Sequence, residues 1–75
     1  MTLDEIAIGA SVKIVKVNGQ GALRRRLLDM GLTPKTVVTV RKIAPMGDPL
    51  ELFLRSYVLT LRKEDAANIE VEDLD

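Results

Sequence analysis

Apolar residues recur at every second position over three segments in the second half of the chain, and that period predicts strands. Residues 36–44 carry Val38 and Val40 on one face, with Val37 and Ile43 on the other. Residues 50–55 set Leu50, Leu52 and Leu54 against Glu51, Phe53 and Arg55. Tyr57, Leu59 and Leu61 then alternate with Val58 and Thr60. An earlier strand at 11–17 places Val12 and Ile14 opposite Lys13, although Val15 and Val17 blur its alternation. A last short strand follows from Ile69 and Val71 alternating with Glu70 and Glu72. Between the first two strands the period changes. At about 100° per residue, Leu23, Leu27 and Met30 share one narrow arc with Leu28 at its edge, which predicts a helix over 22–30. Its opposite face holds Arg25 and Asp29 at the i,i+4 spacing of an ion pair.

The breaks are as informative as the elements. Thr2-Leu3-Asp4-Glu5 has the spacing of a capping box and predicts one helical turn. Gly9 marks a turn, and Asn18-Gly19-Gln20-Gly21 ends the first strand. Gly31 suits the left-handed position after the helix, with Leu32 folding back on Leu27 in a Schellman-type stop and Pro34 preventing continuation. Pro45-Met46-Gly47-Asp48-Pro49 is a defined loop. Both prolines fix φ, Gly47 is free to take φ > 0, and Asp48 is placed to accept from backbone amides across the turn. Met46 is either a contact point or a side chain lying back over the fold. A single helical turn at 63–67 ends at Asn68. Five short strands and one modest helix predict a mainly β domain spanning 1–75, with 72–75 as a frayed tail. Closure into a small barrel hides strand edges, so a barrel is the favoured architecture.

Composition narrows this further. With 75 residues there is room for one domain. Only Phe53 and Tyr57 are aromatic, so the core is expected from Leu, Ile and Val. The sequence contains no Cys, no secretory leader pattern and no apolar run near the ~20 residues of a membrane helix, which points to a cytoplasmic protein. Net charge is zero but uneven. All 11 Lys and Arg lie between Lys13 and Lys63, where only Asp29, Asp48 and Glu51 oppose them. The remaining acids sit towards the two ends, where they either leave a basic body for an acidic partner or fold back and neutralise it.

Absent residue types exclude several chemistries. Without His or Cys there is no borderline or soft ligand for zinc, copper or an iron–sulfur cluster. Asp48 with Glu51 reads as solvated rather than as a metal centre, and Glu70, Glu72 and Asp73 would at most collect a hard cation weakly and adventitiously. No Ser or Thr has a His base, and the glycines do not form a phosphate-binding loop. No catalytic residue, cofactor or metal site is expected, and the chain reads as non-enzymatic. Arg24-Arg25-Arg26 is the strongest local charge; Arg24 falls between Leu27 and Leu28, so its stem is a candidate for covering the core edge. Arg41-Lys42 and Arg62-Lys63 extend a basic patch only where their strands are neighbours. Scarce aromatics argue against a single-strand nucleic-acid groove or a proline-peptide groove.

The segments LLDMGLTP, APMGDP and LRKED, within a match over roughly residues 3 to 72, resemble the FeoA family, the small cytosolic component of bacterial ferrous iron uptake. The resemblance implies an SH3-like small β-barrel of about five strands with a helix inserted after the first strand. It also implies an accessory protein acting on the FeoB membrane permease, which carries a cytosolic G domain. On this reading partner contact falls to Arg25, Arg26 and the hairpin Pro45, Met46, Gly47, Asp48 and Pro49. The family's link to ferrous iron brings no ligand set with it here. Two positions depart from the family pattern: Lys35 and Ser56 stand where Gly is usual, and a type I turn is expected at 33–36. The alternative is an SH3-like module linked to nucleic acid or a transcription regulator. Homo-oligomerisation through an exposed strand edge is a third reading.

Overall fold

The computed structural model describes residues 1–74. Thr2 opens the chain as expected, its N–H donating to Glu5 Oε1 at 2.8 Å, and the 3-10 turn Leu3–Glu5 buries Leu3. Strand β1 (Ser11–Val17) leads into helix α1 (Gly21–Asp29). Strands β2 (Val37–Ile43), β3 (Leu50–Leu54) and β4 (Tyr57–Leu61) follow, then the short helix α2 (Lys63–Ala66) and strand β5 (Ile69–Asp73). All strand pairs are antiparallel, in the order β4-β3-β2-β1-β5. The helix lies between the first and second strands, as expected.

Two bulges explain where simple alternation misleads. In β1 the register to β5 shifts between Ile14 and Lys16, so Val15 is the inserted residue. Val15 is therefore exposed while Val17 returns to the core beside Val12 and Ile14. In β2 the register to β3 shifts between Val40 and Lys42. That insertion moves Ile43 to the core side, opposite buried Leu50, and corrects its expected place with Val37 on the outer face. An extra residue on one strand reverses the inward parity of everything after it.

The core is aliphatic, built on Leu27, Leu32, Val38, Val40, Leu52 and Ile69, each with 0% of its surface exposed. Neither aromatic residue enters it. Phe53 faces out because its neighbours Leu52 and Leu54 face in. Tyr57 keeps its ring half-exposed and donates its hydroxyl hydrogen to the Met30 carbonyl. Helix α1 starts at Gly21, one residue earlier than expected, and Met30 is its C-cap. Its stop is the expected Schellman pair: Leu32 N donates to Leu27 O at 3.2 Å and Gly31 N to Leu28 O at 3.0 Å. Gly31 has φ 96°, and a Cβ there would lie 2.8 Å from the Tyr57 hydroxyl. At the other end of the chain, Glu72 and Asp73, expected in a frayed tail, are strand residues opposite Lys13 and Val12. Asp75, the end of that expected tail, lies outside the described residues.

The turn after α1 corrects a second expectation. Thr36 N donates to Thr33 O at 3.1 Å with Pro34 between them and Lys35 at φ 76°, which is type II geometry rather than type I. The cause lies in the neighbouring strand. Lys35 N donates to Ile14 O at 2.7 Å and Ile14 N to Thr36 O at 2.9 Å, and these bonds seat the turn against β1. At the β3–β4 hairpin both turn residues, Arg55 (φ 48°) and Ser56 (φ 69°), are left-handed, the type I′ pattern that matches strand twist. The guanidinium of Arg55 donates from Nη2 to Thr33 Oγ1 (2.8 Å) and Thr36 Oγ1 (2.9 Å), which offsets its backbone strain. Lys35 makes no such side-chain contact among the described residues. Lys35→Gly is therefore expected to raise stability by about 1 kcal/mol, read as a higher urea midpoint at unchanged m. A lower midpoint would mean that the Lys35 side chain contributes more than its φ costs.

Candidate partner-docking site

The 44–49 loop is a braced projection. Gly47 N donates to Ala44 O at 2.7 Å, closing a turn with Pro45 at its first corner, and Ala44 N donates to Pro49 O at 3.0 Å across the loop base. Gly47 takes φ 86°, where a side chain would be strained. Met46 is 92% exposed at the tip, so it does not lie back over the fold. Asp48 Oδ1 accepts from Lys63 N at 2.9 Å. Arg62, the N-cap of α2, offers no side-chain acceptor, so Asp48 caps that helix from across the fold.

Helix α2 also holds the basic helix. Arg26 Nη2 lies 3.2 Å from Asp65 Oδ2. The same four-residue helix thus ties the loop through Lys63 and α1 through Asp65, which joins Asp48 and Arg26 in one scaffold. The arginine triplet divides its work. Arg24 Nε donates to Val17 O at 3.1 Å and secures the end of β1. Arg26 pairs with Asp65. Arg25 is exposed, and the expected pair with Asp29 is not formed; among the described residues Arg25 has no ion partner. Its charge is therefore available to another molecule.

Arg41-Lys42 and Arg62-Lys63 do not merge into one basic stripe. Strand β3 separates β2 from β4, Arg41 lies 3.7 Å from Glu51, and Arg62 reaches Glu64 at 4.0 Å. Among the described residues no three carboxylates gather in a metal-holding group. One feature had no signal in the sequence: a cleft of about 500 Å³ where α1, the end of β4 and α2 meet, lined by Arg26 and Met30, by Thr60 and Leu61, and by Arg62, Glu64 and Asp65. Its walls come from segments thirty or more residues apart, so only the fold assembles it.

A five-stranded antiparallel sheet with a helix inserted after its first strand defines a small SH3-like domain. The FeoA domain model matches residues 1–73. The chain belongs to the FeoA domain family. It is 43% identical over 72 residues to the Fe(2+) transport protein A/Fe(2+) transporter FeoB fusion protein of Porphyromonas gingivalis. That match covers 96% of this chain and 8% of the fusion protein's length. Among solved structures, the FeoA-like protein of Clostridium acetobutylicum superposes with TM-score 0.92 at 40% identity, covering 99% of this chain and 86% of that one. FeoA of Stenotrophomonas maltophilia, described as a prokaryotic SH3 domain protein and complexed with zinc, gives TM-score 0.84 at 26% identity, with 96% and 89% covered. A manganese-dependent transcriptional repressor shares the fold at TM-score 0.88 but only 15% identity, over 99% of this chain and 41% of that one.

Removing the remote cap tests the bracing. Asp48→Ala is expected to lower stability by about 1 kcal/mol and to speed hydrogen exchange at the Lys63 amide. Unchanged exchange there would show that α2 holds its own first turn.

Proposed function

We propose that this protein is a non-enzymatic accessory of bacterial ferrous iron uptake, working in the cytoplasm by direct contact with the FeoB permease and its G domain. One observation carries the reading: in a relative 43% identical to this chain, the homologous segment is fused to an Fe(2+) transporter FeoB. Covalent fusion holds two domains at high effective concentration, which is useful when they work together. The absence of any membrane-crossing helix among the described residues fits a domain presented from one side of the membrane. The contact surface is the Pro45, Met46, Gly47, Asp48, Pro49 loop with Arg25 and Arg26. An apolar, flexible thioether at a rigid tip and an unpaired guanidinium supply an anchor and a charge for orientation. Binding free energy spent on one conformation of the G domain shifts its population towards that state.

The SH3-like transcription-regulator reading rests on fold likeness alone, and zero net charge gives it little electrostatic driving force. A calorimetric titration against the soluble G domain of the same genome's FeoB, with and without a GTP analogue, tests the proposal. Saturable binding is expected, dependent on nucleotide state and weakened about 10-fold or more in a Met46→Ala, Arg25→Glu double variant. Unchanged affinity in that variant would place the contact elsewhere. Binding to DNA that collapses with salt, and none to the G domain, would favour the regulator reading.

A further inference from the structure

The connection from β1 to α1 runs through Asn18-Gly19-Gln20, and Asn18 is one of two asparagines in the chain. The other, Asn68, is followed by Ile69. An asparagine is labile when the next backbone nitrogen reaches its side-chain carbonyl carbon. Glycine, with no Cβ, hinders that approach least, whereas a β-branched residue crowds it. Gly19 lies outside the strand ladder at φ 103°, and its N–H has no acceptor among the described residues. Attack by this nitrogen therefore breaks no backbone bond.

The side chain of Asn18 is engaged instead. Its Nδ2 donates to Glu70 Oε2 at 2.6 Å across the β1–β5 ladder, in a half-buried position. That bond holds the departing nitrogen and fixes the rotamer, so it slows ring closure without preventing it. Asn18 N donates to Asn68 O at 2.7 Å, and the adjacent Val17 O accepts from Arg24 Nε at 3.1 Å. One short junction thus ties the end of β1 to both β5 and α1. Lys16 stands opposite Glu70 in the register but forms no ion pair with it among the described residues.

We infer that Asn18 is a site of spontaneous deamidation, and that the product loosens the junction of β1 with β5. The Gly19 nitrogen gives its proton to hydroxide and bonds to Asn18 Cγ. The Cγ–Nδ2 bond breaks, and Nδ2 leaves as ammonia after taking a proton from water, which restores the hydroxide. One water then opens the resulting succinimide at either carbonyl, giving Asp or isoAsp. Either product replaces a donor to Glu70 with a second carboxylate, and like charges in contact are disfavoured. The isoAsp product also adds a methylene to the main chain between β1 and α1. The site lies outside the 44–49 loop and does not depend on the function proposed above.

The test incubates the purified full chain at mildly alkaline pH and maps its peptides by mass, with enzymatic methylation to detect isoAsp. Conversion is expected in the peptide holding Asn18 and not in the peptide holding Asn68. Glu70→Ala, which releases the Asn18 side chain, should speed conversion about 3-fold or more. Asn68 staying intact in that variant separates local release from general unfolding. Asn18→Asp supplies one product directly: a lower urea midpoint and faster exchange of the amide at position 18 are expected. Adding Glu70→Gln to it should recover most of the loss. No conversion at Asn18, or equal conversion at Asn68, would overturn the assignment of the site. An Asn18→Asp chain as stable as the parent would overturn its consequence.

Discussion

The fold depends on one constraint: with no aromatic side chain inside, every inward position must carry a well-packed aliphatic group. Small domains bury a modest share of their surface, so a single polar residue turned inward would be felt. The inward parity of the strands is therefore enforced along their middles and relaxes at exposed ends such as Tyr57 and Asp73. The bulges at Val15 and Arg41 are its consequence: they let Val17 and Ile43 reach the core while Lys16 and Lys42 stay in water. Both aromatic residues are left outside, where Tyr57 serves as a strut to the end of α1.

That strut and the Schellman stop lock the helix to the sheet. Leu27 and Leu32 bury together at the stop, Gly31 admits the close approach of Tyr57, and Arg55 binds the two threonines of the following turn. Helix α2 does the same on the other side with few residues, accepting Asp48 at its start and holding Arg26 through Asp65. Two regions of contrasting chemistry, an apolar loop tip and a basic helix, are thereby fixed to one rigid body. A rigid presentation lowers the ordering cost of association, which suits the contact role proposed above.

Much of this was legible in the sequence. The helix stop, the capping turn, all five strands and the 44–49 loop carry punctuation whose physics is local: glycine for positive φ, proline for a missing donor, a hydroxyl and a carboxylate at capping spacing. The bulges were not legible, because period-two alternation cannot show an inserted residue until the partner strand is known. The type II turn at Lys35 was misjudged because its cause, two bonds to Ile14, lies twenty residues upstream. The Arg26–Asp65 pair, with a sequence separation of 39, was missed for the same reason, and the cleft at β4 exists only once α1 and α2 are folded against the sheet. The 44–49 loop was legible as a defined turn because its chemistry lies in consecutive residues, while its docking role stands as a proposal.

The central proposal is that the loop carrying Met46 and the helix carrying Arg25 together engage the cytosolic G domain of a ferrous iron permease. Backbone amide chemical-shift mapping of the isotopically labelled protein, titrated with that G domain, tests it most directly. The account predicts shifts concentrated at Arg25, Arg26 and Met46 through Asp48, spreading to Lys63 through the Asp48 bond. Shifts confined to the acidic edge at β5, or a spectrum unchanged at saturating G domain, would contradict it.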